Sequence, residues 1–249
     1  MTIYIKDATF IDWQTLEFKN THIKVNEGDD GTIEFLNEIP ENLNNAKLID
    51  AKGKLVTKSF GCGHHHIYST LARGMPAPAK IPENFVEILQ YVWWNLDKNL
   101  ETDMIKASAL ASALFCAKNG VSFVIDHHAS PFAVEGSLFA IKEALETVGL
   151  SHLLCYEITD RDGEAVRDKG LEETRAYLAA GNQGHVGLHA SFTVGDYLLE
   201  KAVSLADEFS TGIHIHVAEA ASDQEHCLKN YNKRVIQRLS DAGALNFGK

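Results

Sequence analysis

The chain has 249 residues, of which 45% are hydrophobic and 23% charged, enough for one large domain or two modest ones with a real core. Its net charge of −11 is spread along the sequence rather than gathered in a tail, which argues against nucleic acid or an anionic membrane as partner and leaves a small-molecule substrate. No basic and apolar leader pattern opens the sequence, and no apolar run approaches the roughly 18 residues that span a bilayer, so a cytoplasmic, soluble protein is expected.

Taken in chain order, the first stretch has strand period. IYI, ATFI, HIKV and TIEFL alternate apolar and polar residues and are separated by turn residues such as Asn26-Glu27-Gly28-Asp29-Asp30-Gly31. Residues 1–58 are therefore expected to form a small β-rich unit. From Ser59 the rhythm becomes that of repeated βα units. Strands are expected at Ser59–Gly63, Val121–Asp126, His152–Ile158, His185–Ala190 and Gly212–Val217. Helices are expected at Thr102–Asn119, Leu138–Val148, Leu171–Ala180, Asp196–Phe209 and Lys233–Ala242. A closed (β/α)8 barrel has eight strands and about 250 residues of its own. Residues 59–249 supply about five of those strands, so a partial TIM-type barrel is expected, and the chain reads as the N-terminal part of a longer enzyme. An open five-stranded sheet is the alternative.

Several polar residues fall where such a fold collects chemistry. Side chains alternate along a strand, so His64 and His66 share a face and His65 takes the other. Two imidazoles at a strand end make half of a metal site, or else a pair of solvated histidines. In Ile213-His214-Ile215-His216-Val217-Ala218-Glu219, His216 lies nearer the carboxyl end and is the chosen ligand, with His214 one layer deeper in the core. Asp126, His127 and His128 end the second strand, so at least one of them faces the same crevice. Asp126 and His128 are named for substrate contact, with capping of the next helix as the bland reading. Arg73, Glu157, Asp160 and Arg161 are loop charges able to meet a polar substrate, but singly each reads as a solvated or ion-paired surface group. Trp93-Trp94 reads as core or interface packing rather than a pocket wall. The four cysteines form no CxxC pair and are expected reduced, Cys62 helping to shape the site beside His64.

The segment DAKGKLVTKSFGCGHHHIYSTLARGM, Asp50 to Met75, resembles the junction at which amidohydrolases pass from a β-sandwich into a barrel whose first strand ends in HxH. HIHVAE resembles the fifth-strand motif of the same superfamily. Within it, GCGHHHIYSTLARGM, VIDHHASP, CYEITDRDG and GLHASFTVGD are similar to aminohydrolases of the SsnA type. One departure is Lys58-Ser59-Phe60, where that group carries Pro-Gly-Phe; it alters a turn rather than a ligand.

The resemblance implies an α/β fold, a partial (β/α)8 barrel preceded by a small β-sandwich portion. It also implies one divalent metal ion, zinc or iron, held by His64, His66 and His216. The fourth strand, Val186 to Ser191, lacks the lysine that bridges two metals in relatives such as hydantoinases, which favours a mononuclear site with His189 at the substrate. Glu219 is then the residue that donates a proton during hydrolytic deamination of a heterocyclic amine. Cyclic-amide hydrolysis and chlorohydrolysis are alternatives on the same scaffold. In the family a later histidine and a later aspartate complete the site, and neither His226 nor Asp241 takes either role, so these 249 residues alone are expected to be catalytically inactive. The rival reading is a non-catalytic metal-binding module whose open sheet edge pairs with another chain, and a homo-oligomer is compatible with either.

Overall fold

A computed structural model describes residues 2–26, 32–43 and 45–246, which fall into two compact units, residues 1–59 and 60–249. Beyond Asn26, the turn expected at Asn26 to Gly31 lies outside the described residues.

In the first unit, IYI and ATFI join into one long strand, β1 (Ile3–Ile11), which pairs antiparallel with β2 (Phe18–Val25). The join is a bulge between Ile5 and Ala8, where Asp7 takes a positive φ of 55° and gives its N–H to His22 Nδ1 at 2.9 Å. Strand β3 (Ile33–Leu36) pairs antiparallel with β2, while β4 (Lys47–Asp50) and β5 (Leu55–Val56) run parallel to β1 along successive parts of its length. Ala8, Ile23 and Ala51 form its buried centre. The described residues of this unit make a single mixed sheet, and a second layer, as a sandwich needs, is not among them.

The second unit contains five parallel strands: β6 (Phe60–His65), β7 (Val121–His128), β8 (Ser151–Tyr156), β9 (Val186–Ala190) and β10 (Ile213–His216). Strands β6, β7 and β8 pair in that order, and β9 pairs with β10. The two groups meet through parallel bridges at Leu154–Gly184 and Ile158–Leu188, carried by Ile158 N–H to Gly187 O and His189 N–H to Ile158 O. Gly187 is required at this seam, because a Cβ there would overlap the Tyr156 carbonyl.

Between the strands run helices whose apolar stripes face the sheet. In α3 (Thr102–Lys118) the buried residues Ile105, Ala109, Ala113 and Cys116 recur at helical spacing, and in α4 (Ser137–Val148) Leu138, Ile141, Ala144 and Leu145 do the same. Gly149, in the left-handed conformation, ends α4. Glu173 of α5 (Glu164–Ala179) accepts the Gly136 and Leu138 N–H groups at 2.8 and 3.0 Å, a carboxylate at the positive end of α4. Helix α6 (Asp196–Glu208) buries Leu198, Leu199, Ala202 and Leu205.

Two helical stretches were not expected. Between β6 and α3 lie α1 (Phe85–Ile88), a π-helical turn over Leu89–Trp93, and α2 (Trp94–Asp97). After β10 comes α7 (Ala221–Tyr231), ahead of α8 (Val235–Asp241). Arg238 of α8 is buried, stacks on Tyr231 at 3.7 Å and gives hydrogen bonds to the Ser191 and Val194 carbonyls and to Asp196. Among the described residues no helix is long and apolar enough to cross a membrane.

Candidate metal and active site

Strand register decides which polar side chains meet. His65 of β6 lies opposite Asp126 of β7, so these two share one face while His64, His66 and His127 take the other. His65 accordingly sits 3.4 Å from Ser112 of α3. From β10, His214 and His216 project toward the same cluster.

Three ring nitrogens converge. His64 Nε2 is 3.1 Å from His66 Nε2, which is 3.1 Å from His216 Nε2, which is 3.2 Å from His64 Nε2. The other nitrogen fixes the tautomer in two of the rings. His66 Nδ1 donates to the His127 carbonyl at 2.8 Å, and His216 Nδ1 donates to the His189 carbonyl at 2.7 Å. A carbonyl only accepts, so each Nδ1 carries the proton and each neutral Nε2 presents a bare lone pair. Burial, reinforced by the neighbouring His216, pushes His66 down to about 3, and burial also lowers His64 and His216. The rings are therefore neutral at pH 7, and lone pairs 3.1 Å apart cannot bond one another. A cation resolves this arrangement, and the triangle is small enough for one point about 2 Å from each nitrogen, the usual Zn–N distance, to reach all three. Imidazole donors held by backbone carbonyls suit a borderline divalent ion. His64 is oriented by His214, whose Nε2 is 2.8 Å from His64 Nδ1 and whose ring stacks on it. His214 thus supports the cluster directly rather than lying apart in the core.

A fourth histidine joins them. His127 is fully buried, neither of its ring nitrogens has a hydrogen-bond partner, and burial holds it well below its ordinary pKa. The candidate ligand atoms of His64, His66, His127 and His216 lie within 4.8 Å of one another. Asp126 and His128 occupy the other face of β7, both with 0% exposure. Asp126 Oδ1 accepts the Ile67 N–H at 2.7 Å, pinning the backbone just after His66, and its carboxyl is raised to about 7 by burial. His128 Nε2 is 2.9 Å from Ser130 Oγ.

The end of β9 presents His189, whose Nδ1 is 2.6 Å from Thr193 Oγ1 and whose Nε2 is 3.2 Å from Glu157 Oε1. Glu157 is 4% exposed rather than a solvated loop charge. The Arg161 side chain is largely covered, ion-paired to Asp97 and Asp162 and lying 5.0 Å over the Trp94 ring. Trp93 packs against the buried core, as expected, and stands 5.7 Å from His66, while Trp94 stands 6.1 Å from His189. Arg73 is exposed, and Asp160 accepts the Gly195 N–H at 2.7 Å. Glu219 is exposed after Ala218, whose φ of 53° turns the chain at the end of β10. Partial burial raises its carboxyl, opposed by His64.

Residues 55–248 match the Amidohydrolase family. The chain belongs to the amidohydrolase family. Among its members, this amidohydrolase is 29% identical over 251 residues to the 5'-deoxyadenosine deaminase of Methanobrevibacter smithii, covering 98% of this chain and 54% of that protein. The chain spans about half the length of the curated relatives it matches. Its fold is similar to part of guanine deaminase from C. acetobutylicum, solved with bound guanine, at a TM-score of 0.78 and 15% identity over 98% of this chain and 60% of that one. It is also similar to part of atrazine chlorohydrolase from Arthrobacter aurescens TC1, solved with zinc, at a TM-score of 0.75 and 16% identity over 97% and 58% of the two chains.

Proposed function

We propose that this amidohydrolase hydrolytically deaminates a small heterocyclic amine, with one divalent metal ion, zinc or iron, held by His64, His66 and His216. The observation that carries the reading is the convergence of three neutral Nε2 atoms, two of them with the tautomer set by a backbone carbonyl. A divalent ion in that position supplies Lewis acidity and makes water nucleophilic near neutral pH.

This chain's own residues supply part of the rest, and the base that takes a proton from water is not assigned among them. Water adds to the ring carbon that bears the amine, the carbon–nitrogen bond breaks, and ammonia leaves. Glu219 donates a proton to the ring nitrogen or the departing amine, a role suited to a carboxyl raised above its ordinary range. His189 faces the same space and meets the substrate there. For Asp126 and His128 we propose positioning rather than contact: Asp126 holds the chain after His66, and His128 braces the end of β7 through Ser130. His127 is the inward-facing group of that strand.

The deaminases among the relatives support amine release over the alternatives. The test is ammonia release by the metal-loaded whole protein from 5'-deoxyadenosine, guanine, adenine and cytosine, with chloride release from atrazine measured in parallel and these 249 residues alone, expected inactive, as the control. Ammonia from at least one of them, falling about 10²- to 10⁴-fold in Glu219→Gln, is expected. No ammonia but chloride from atrazine would transfer the reading to chlorohydrolysis.

A further inference from the structure

Glu157 has no part in the mechanism above, yet it occupies a position no surface charge takes. It follows β8 directly and lies two residues beyond Cys155, which is in register with His127, so alternation turns its side chain to the histidine-bearing face. One oxygen, Oε1, is 3.2 Å from His189 Nε2. The other, Oε2, is buried without a hydrogen-bond partner, 3.9 Å from His66 Nδ1, whose proton goes to the His127 carbonyl. Arg161 acts on Glu157 through its charge, gives its hydrogen bonds to Asp97 and Asp162, and leaves its Nη1 buried without a partner. The protein therefore leaves one acceptor of a buried carboxyl unsatisfied, wedged between a metal-cluster histidine and the histidine proposed to meet substrate. Buried acceptors of this kind take a donor from water or from a ligand. The Trp93 and Trp94 rings lie beside His66 and His189, at 5.7 and 6.1 Å, and are aromatic surfaces on which a flat ring can stack.

We propose that Glu157 is a specificity-determining residue, which accepts an N–H on the edge of a flat nitrogen heterocycle and so selects substrates that carry that donor. The inference rests on the deaminase reading above for the identity of the ligand. A site built to receive an N–H discriminates strongly against an analogue in which that hydrogen is replaced by methyl.

The test uses the zinc-loaded whole protein, calorimetric binding of guanine, adenine, cytosine and 5'-deoxyadenosine, and their singly N-methylated counterparts, with zinc content and ammonia release followed on the same samples. At least one parent compound binds, and methylation at one of its nitrogens weakens binding at least tenfold. In Glu157→Ala the parent binds at least tenfold more weakly and the methylation penalty disappears, while in Glu157→Gln, whose amide oxygen still accepts, part of the penalty remains, and zinc stays at the wild-type level in both. The proposal is overturned if no parent binds, if the penalty persists in Glu157→Ala, or if both variants lose zinc, which would make Glu157 a support of the metal cluster. Discrimination that depends on Glu157 without ammonia release sinks the deaminase reading alone; ammonia release with unchanged discrimination sinks Glu157 alone.

Discussion

At the scale of single residues, the contact each imidazole makes behind the cluster sets what it offers in front. Because His66 and His216 give Nδ1–H to carbonyls, their Nε2 atoms are available as ligands without any proton having to leave. The sign of the pH dependence follows. A histidine must be neutral to bind metal, and burial lowers His64, His66 and His216 below the ordinary range, so protons compete only in acid. Zinc affinity, measured against a chromophoric chelator, is expected to stay level from pH 8 to about 6.5 and to weaken only below that. A loss centred at or above pH 6.5 would contradict the assignment. That His64 and His66 share one face, and His214 and His216 another, was legible in the sequence through the two-residue strand period; the convergence of His64, His66 and His216 is seen in the fold. His127 was not legible, since in Asp126-His127-His128 the inward residue is chosen by register against β6, which is a long-range property. Glu157 was missed for a related reason: it stands one residue past a strand end in a charged segment, and only the bridges to β9 bury it.

Among the elements, the strands carrying short apolar runs were readable to within a few residues, and so were helices with a full apolar stripe such as α3, α4 and α6. Helix α7 was not, because it buries only Asp223 and Cys227 and has no apolar stripe to detect. The start of α5 was hidden similarly, Glu164 to Gly170 being rich in charge, and the π-helical turn at Leu89–Trp93 has no period of its own in the sequence. The seam between β8 and β9 depends on Gly187. Gly187→Ala is expected to lower stability by about 1–3 kcal/mol in urea denaturation, since the added methyl meets a backbone carbonyl that cannot swing aside. A change within about 0.5 kcal/mol would show that the seam has slack. Glu173→Ala, which strips two N–H groups at the start of α4 of their acceptor, is expected to cost about 1–3 kcal/mol by the same measurement. An unchanged midpoint would mean that water replaces the carboxylate.

For the molecule as a whole, the cluster ties the first, second and fifth parallel strands of the second unit together across a sequence separation of 152 residues between His64 and His216. The order of those strands was readable from the alternation of apolar runs and helical periods, as was the change of rhythm near Ser59. Whether the N-terminal strands belong to one layer or two was not, because strand period reports faces and not partners. A metal bound to side chains so far apart stabilises the fold it bridges, by about 2.7 kcal/mol when zinc is present at a hundred times its dissociation constant. The most direct test of the account is the metal stoichiometry of the purified chain after zinc loading and removal of excess, in the wild type and in His66→Ala and His216→Ala. One zinc per chain, with a raised melting temperature, and loss of both in each variant is the predicted result. A wild-type chain that retains no zinc, or variants that retain it fully, would contradict it.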